Sequence, residues 1–443
     1  MSSREEYLSS VCREVRFRAA RKYVKQELSD HIDDKRAYLE QSGAADAEAE
    51  AVNAMGDPVQ TGRALNAIHR PRVEWGVIAC VLGLTVAGAA ALFVGTTYGI
   101  HFDERVSLYW SNLPWRLMIR CLVVMAVLIF VNYTWIRKLR HICFGAALAY
   151  IAAYIVMYLI HGFDFLGDPG WLGQSAVIIV PGLLFMAGMA GVLQRCSRWG
   201  LRDTTLVLSM CAVSVLATGV LSGVYALVLS AVYLVMIAVA LSQSSLGRAQ
   251  QFWRFAAVLA VLAAVLIAGR SLQPQHLTFG DDWGDMAQVR RMLAKAPFVD
   301  VPPVNRSGSL TASTTGYILA AAIGAYGWLF GIGVIAVFAA MLALMVIRSS
   351  KTPHFFGRLL SFGISAYFGI RFVLFVLANL GLIGGISINL PFISYGLFNF
   401  LTDCALVGVF LSVWRRSSFM PRDAVPAAAA SQVNGVSPAP PIQ

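Results

Sequence analysis

The chain has 443 residues, 58% of them hydrophobic and 13% charged, at a mean hydropathy of +0.66. That balance argues against a soluble globular protein and describes an integral membrane protein. A formal net charge of +11 does not point to nucleic acid, because the basic residues lie mostly in short loops beside apolar stretches, where they orient helices in a bilayer.

Residues 1–72 are polar and charged, which leaves no cleavable signal peptide and makes the first apolar span the insertion signal. The segment carries its own helical periodicity: Val24, Leu28 and Ile32 recur every four residues, and Ala47, Ala51, Val52 and Met55 mark a second face. Gly43 and the Gly56-Asp57-Pro58 turn punctuate it. Charged positions such as Glu5, Glu6, Arg13, Glu14, Glu27 and Asp30 fit the solvated faces of a small bundle. His31 with Asp30 and Asp34 imitates a metal cluster, but the spacing reads as a solvated helix face. The pattern Tyr7-Leu8, Val11, Glu27-Leu28, His31-Ile32 and Met55-Gly56-Asp57-Pro58 resembles the N-terminal prefix domain called HAAS. That resemblance implies regulation or interaction and supplies no chemistry.

From Trp75 onward, apolar stretches near 75–97, 115–133, 141–161, 174–193, 204–221, 223–242, 253–270, 327–347, 359–383 and 397–414 each approach the roughly 20 residues that cross hydrocarbon as a helix. The expected fold is an all-α polytopic bundle of about ten transmembrane helices over 75–416, preceded by a small cytoplasmic helical domain. Arg137, Lys138 and Arg140; Arg195, Arg198 and Arg202; Arg248 and Arg254; Arg348, Lys351 and Arg358; and Arg415 and Arg416 fall on one side of such a bundle. The excess of cations makes that side, and both termini, cytoplasmic. A large extracytoplasmic loop spans 271–326. The tail 417–443, with Ala427 to Ala430 and Pro438, Pro440 and Pro441, lacks the apolar content for a core and is expected to be disordered. Cys12, Cys80, Cys121, Cys143, Cys196, Cys211 and Cys404 contain no CxxC pair and read as free thiols, with no metal-ligand set and no identifiable cofactor.

Three constellations within the spans can carry function. The first is the glycine-rich, uncharged stretch 378–396, which includes Asn379, Pro391, Ser394 and Tyr395. Glycine and proline at membrane depth free backbone polar groups that lipid cannot satisfy, so such a stretch belongs against protein or a wet cavity. Its polar side chains can hydrogen-bond a sugar or headgroup, or simply the neighbouring backbone. The second is the pair Arg371 and Asp403, each buried in an apolar span at a cost that normally enforces pairing. Arg371 lies 13 residues beyond Arg358 and Asp403 lies 12 before Arg415, so both sit roughly 18 to 20 Å from the cytoplasmic helix ends, and a structural ion pair is expected. The third is the loop helix 284–298, which aligns Met286, Val289, Leu293 and Ala296 on one face. It is expected to lie in the outer interface. Its Arg290, Arg291 and Lys295 can hold either a substrate pyrophosphate or phospholipid headgroups.

Ten spans, cytoplasmic ends, a long outer loop after the seventh span and Leu390-Pro391-Phe392-Ile393-Ser394-Tyr395-Gly396 before the tenth together resemble the SEDS family, the FtsW/RodA/SpoVE proteins of bacterial cell-wall synthesis. Tyr317-Ile318-Leu319, Gly324 and Tyr326-Gly327-Trp328-Leu329 resemble the stretch entering that family's eighth span. The resemblance implies action on lipid II in peptidoglycan glycan-strand synthesis during division, shape maintenance or sporulation. It also implies a lipid-linked peptidoglycan precursor, membrane lipids and a class B penicillin-binding protein as partners, and a place in the bacterial cytoplasmic membrane. Trp171 matches a tryptophan of a glycine-rich family turn, without the preceding arginine. Where family members carry an acidic residue, taken as catalytic, this chain reads Thr314-Thr315-Gly316-Tyr317. Glycosyl transfer needs a base worth roughly 10²- to 10⁴-fold, and Asp281, Asp282, Asp285 and Asp300 are the nearby carboxylates that can substitute. The catalytic residue is therefore unknown. A precursor-binding or regulatory protein without turnover and a flippase for the lipid-linked precursor remain the alternatives.

Overall fold

The computed structural model describes residues 4–44, 46–97, 114–161, 174–196, 199–272, 283–299, 316–383, 388–394 and 397–418. These residues are helices and their connections, with no strand among them. They divide into two compact units.

The first unit contains α1 (Arg4–Glu14), α2 (Arg18–Gln41), α3 (Ala47–Asn53) and α4 (Pro58–Ile68). It also takes in 352–355 and, among the described residues, 413–418, segments that hydropathy alone had assigned to the membrane bundle or the tail. Asp46 caps α3 by accepting from Ala49 N–H at 3.1 Å, and Asp57 caps α4 by accepting from Gln60 N–H at 2.9 Å, with Pro58 opening the helix. Gly43 and Gly56, both at φ +81°, make turns that a side chain would strain. The core is the expected stripe of Val24, Leu28 and Ile32 against Tyr7, Leu8, Val11 and Ala51. At the crossing of α1 and α4, a Cβ on Gly62 would lie 2.7 Å from Cβ of Glu14.

The second unit is a bundle of α5 (Trp75–Thr97), α6 (Pro114–Phe130), α7 (Thr134–Lys138), α8 (Arg140–His161), α9 (Gln174–Leu193), α10 (Leu201–Leu221), α11 (Gly223–Ser242), α12 (Arg248–Leu272), α13 (Trp283–Lys295), α14 (Ile318–Tyr326), α15 (Trp328–Ser350), α16 (Phe355–Asn379) and most of α17 (Leu397–Arg416). Among the described residues, six helical segments are long and apolar enough to cross a membrane: Leu201–Leu221, Gly223–Ser242, Arg248–Gly269, Trp328–Ser350, Phe355–Asn379 and Phe398–Arg416. Shorter apolar helices run Trp75–Ala91, Met118–Phe130, Arg140–Val156 and Ile179–Leu193. The protein is thus a multi-pass integral membrane protein. Apolar helices gain no hydrophobic energy from one another in lipid, so close approach at small residues does the packing. A Cβ on Gly408 would stand 2.9 Å from the Met125 carbonyl oxygen, and one on Gly219 3.5 Å from Gly269 Cα.

The loop helix α13 departs from expectation. Its Val289 and Leu293 are buried, and Met292 lies so close to α14 that a Cβ on Gly324 would meet its Sδ at 2.9 Å. The apolar face laid in the membrane interface on sequence grounds is used against protein instead. Beyond it, the carbonyls of Pro297 and Phe298 accept from Trp328 N–H at 3.0 Å and Leu329 N–H at 2.9 Å, across a break where Gly327 adopts φ +89°.

Candidate functional site

Polar groups converge where α16 ends, the 388–394 segment begins and α17 returns. Asn379 closes α16 and is wholly buried. Its Oδ1 accepts from Ala320 N–H at 2.9 Å, and its Nδ2 donates to the carbonyls of Gly316 at 2.7 Å and Phe375 at 3.0 Å. A buried amide with these partners has little capacity left for a ligand. It serves as a side-chain cap for the start of α14, holding the turn that contains Gly316. Of the two roles left open for Asn379, the structure displays the backbone one.

Arg290 also reaches backbone: its Nε donates to the Gly381 carbonyl at 2.7 Å, across the C-terminal end of α16. A cation there complements the negative end of the helix dipole. Gly381 sits at φ +68°, and a Cβ on it would approach Arg290 Cγ to 2.8 Å, so both the conformation and the contact require glycine. Arg291 and Lys295 are exposed, and Arg291 Nε donates to the Ala287 carbonyl at 3.2 Å within its own helix.

The 390–394 segment is a tight self-bonded turn. Leu390 N–H donates to Ser394 Oγ at 2.8 Å, and Ser394 N–H donates to the Leu390 carbonyl at 3.1 Å. Leu390, Pro391, Phe392, Ile393 and Ser394 are all buried. Phe392 adopts φ +67°, a conformation worth roughly 1–3 kcal/mol of strain in a bulky residue. Its ring is seated between Phe368 and Phe400, each at a centroid distance of 6.0 Å. On the other side α5 presses in, since a Cβ on Gly88 would stand 2.7 Å from the Phe392 carbonyl oxygen. The described part of the hinge, 388–394, therefore borders protein on these sides. Pro391 meets lipid's demand here by packing against protein, one of the two solutions to that constraint. Tyr395 lies outside the described residues, as do Trp171, Asp281, Asp282 and Asp300.

Arg371 and Asp403 meet at 2.7 Å, Nη1 to Oδ1, with side chains 0% and 1% exposed. Arg371 Nη2 donates to the Asn389 carbonyl at 2.8 Å, and the guanidinium stands 5.0 Å from the Tyr367 ring centroid. The pair thus does more than join α16 to α17: it fixes the backbone between them. Sequence reasoning did not identify three neighbours. Tyr367, at i−4 from Arg371, sets its ring against the guanidinium and its hydroxyl accepts from Arg371 Nη1 at 3.3 Å, and Tyr225 of α11 lines a small cavity together with Tyr367. Asn399, at i−4 from Asp403, has both amide atoms buried without a hydrogen-bond partner. The i, i+4 spacing of Asn399 and Asp403 on an apolar helix was a legible signal of a polar face. Beside Tyr225 and Tyr367, with Thr218, Met186 and Val232, lies a cavity of about 10 Å³, room for a single water.

Asp403 is committed to Arg371, and Asp203 caps the start of α10 from the Gly200 N–H at 3.3 Å. Asp285 lies in the first turn of α13. Among the described residues no group of three or more His, Cys, Asp or Glu side chains is arranged to hold a metal.

No protein-family model matches the chain, and no curated protein matches it. Solved structures do. A chain of a peptidoglycan synthase complex, described as coordinating polymerization and crosslinking, superposes with a TM-score of 0.57 at 18% identity, over 78% of this chain and 98% of that one. The rod shape determining protein RodA of Thermus thermophilus matches with a TM-score of 0.51 at 18% identity, over 77% of this chain and 97% of that one. A point variant of the same RodA gives 0.52 at 17% identity. This chain therefore has the polytopic helical fold of RodA and of that peptidoglycan synthase, carried over nearly the whole length of each.

Proposed function

We propose that this is a SEDS-type cell-wall protein that engages the lipid-linked peptidoglycan precursor, lipid II, beside a class B penicillin-binding protein. The observation carrying this reading is the fold, which covers 98% of a peptidoglycan synthase chain. The HAAS-like segment and the ten-span topology with both termini cytoplasmic belong to the same proposal. Arg291 and Lys295 remain available to a pyrophosphate, as do Trp171 and Tyr395 by resemblance. Arg290, Asn379 and Ser394 shape the site by holding backbone.

One observation favours a second reading, in which the protein binds precursor without polymerising it. Gly316 has no side chain to accept a proton, and its carbonyl is already bonded to Asn379. Asp403 is neutralised by Arg371, so polymerisation would depend on Asp285 or on Asp281, Asp282 or Asp300. Purified full-length protein is to be incubated with lipid II, with and without a class B penicillin-binding partner. Glycan strands lost on Asp300→Asn or Asp285→Asn establish the polymerase. Saturable lipid II binding without strands establishes the second reading. Neither binding nor product overturns both.

A further inference from the structure

The first unit distributes its charge against the preference of its own helix. Between residues 13 and 25 stand Arg13, Arg16, Arg18, Arg21, Lys22 and Lys25 against the single acid Glu14, whereas 27–50 carry eight acids against Lys35 and Arg36. α2 therefore opens basic, with no acid in its first turn, and continues acidic. The helix macrodipole favours the reverse order, with acids at the N-terminus and cations at the C-terminus. Arg18 with Lys22, and Arg21 with Lys25, also repeat like charge at i, i+4, which is unfavourable.

Burial does not account for the arrangement, because Arg13, Arg16, Arg18, Lys22 and Lys25 are all exposed. Arg18, Lys22 and Lys25 fall at i, i+4 and i+7, in one row along α2 that is distinct from the buried row of Ala20, Val24 and Leu28. A one-sided row of cations maintained against local electrostatics calls for counter-charge from outside the unit.

Within the same unit, this elbow between α1 and α2 is fastened to the last turn of α17. The Arg415 guanidinium stands 5.7 Å from the Phe17 ring centroid, and Arg72 stands 5.8 Å from that of Trp414. Arg72 N–H donates to the Arg415 carbonyl at 3.4 Å, and Ser418 Oγ donates to the Arg70 carbonyl at 2.7 Å. The segment Phe398–Arg416 is long and apolar enough to span a bilayer. Its Trp414-Arg415-Arg416 end is the aromatic and basic composition found at the level of lipid headgroups.

We propose that the elbow formed by Arg13, Arg16, Arg18, Lys22 and Lys25 is a docking surface for anionic phospholipid headgroups of the leaflet at which α17 ends. The anionic lipids supply the counter-charge that the opening turns of α2 lack, and the attraction acts within about 8 Å at physiological ionic strength. The proposal is independent of the cell-wall reading. The full-length protein in nanodiscs of phosphatidylcholine alone, or with phosphatidylglycerol, is to be labelled with an amine-reactive ester, and Lys22, Lys25 and Lys35 followed by mass spectrometry. Lys22 and Lys25 react about fivefold more slowly in the anionic discs, high salt removes the difference, and Lys35 reacts equally in both. Arg16→Gln with Arg18→Gln weakens the protection of Lys22 and Lys25 and leaves Lys35 unchanged. Equal rates in both discs, or protection that survives the double substitution, overturn the proposal. Protection that appears only when a single-stranded oligonucleotide is added assigns the surface to nucleic acid and overturns it equally.

Discussion

Two arginine–aspartate pairs in this protein have almost the same contact distance and very different surroundings. Arg4 grips Asp33 in the first unit with two bonds of 2.8 and 2.6 Å, at side-chain exposures of 23% and 43%. Arg371 holds Asp403 at 2.7 Å with essentially no exposure. Water competes for the first pair and supplies most of what it would lose on breaking, so such pairs contribute little net stability. The second pair has no water to fall back on, and removing either member strands a charge in a low-dielectric interior. The exposed pair makes the more bonds of the two, so the difference in consequence lies in the medium.

The largest expected effect breaks the buried pair. Arg371→Ala or Asp403→Ala destabilises the folded protein by about 3–5 kcal/mol, read as a shift in denaturant midpoint in detergent, while Arg371→Met with Asp403→Leu costs far less than either alone. A swapped pair, Arg371→Asp with Asp403→Arg, recovers only part of the loss, because the Asn389 carbonyl keeps no donor. Full recovery would show that the hold on Asn389 is idle. If the apolar pair is as damaging as the single substitutions, the stranded-charge account fails.

Asn379 tests whether a neutral buried group follows the same logic. Asn379→Leu leaves Ala320 N–H and the Gly316 carbonyl without partners, at about 1–3 kcal/mol, and loosens the turn before α14. Faster hydrogen exchange at 316–320, with α17 unchanged, is the expected signature. A smaller loss, about 1 kcal/mol, follows Tyr7→Phe in the first unit, where the hydroxyl donates to the Met55 carbonyl at 3.0 Å.

The exposed pair gives the smallest effect and a sign that can be worked out. The Arg4 guanidinium holds the Asp33 carboxyl below its ordinary value through hydrogen bonds and, to a lesser extent, charge. A carboxyl depressed on folding contributes stability above its unfolded pKa of about 3.9 and loses it as pH falls through the folded value. Asp33→Asn therefore differs slightly from the unaltered protein at neutral pH, converges with it in acid, and converges with it at high salt. A difference that persisted in strong salt would place the pair in a drier site than its exposure indicates.

Much of the fold was legible in the chain because lipid imposes a one-dimensional rule: about twenty apolar residues, cations at one end. The stripes of Val24, Leu28 and Ile32 and the turns at Gly43 and Gly56 were equally legible, since helical periodicity and φ are local properties. That Arg371 and Asp403 should meet followed from their matched depth, because a lone charge at that level is too costly to leave unpaired. The role of the hinge was not legible. Whether Pro391 and Phe392 border a cleft or a helix depends on Gly88, about three hundred residues earlier, and hydropathy carries no record of such a contact. The same holds for Arg290, whose partner is a backbone carbonyl at Gly381 that no side-chain pattern reveals, and for α13, whose apolar face suits lipid and protein equally.

By itself, then, the sequence determined an all-helical chain built for a bilayer, a separate charged bundle at its start, and the need for an internal ion pair. Only the tertiary structure decided which polar groups are spent on holding backbone and which remain for a ligand. The physical reason is that hydrophobic burial is additive along the chain, whereas hydrogen-bond satisfaction is settled pairwise between residues brought together by folding.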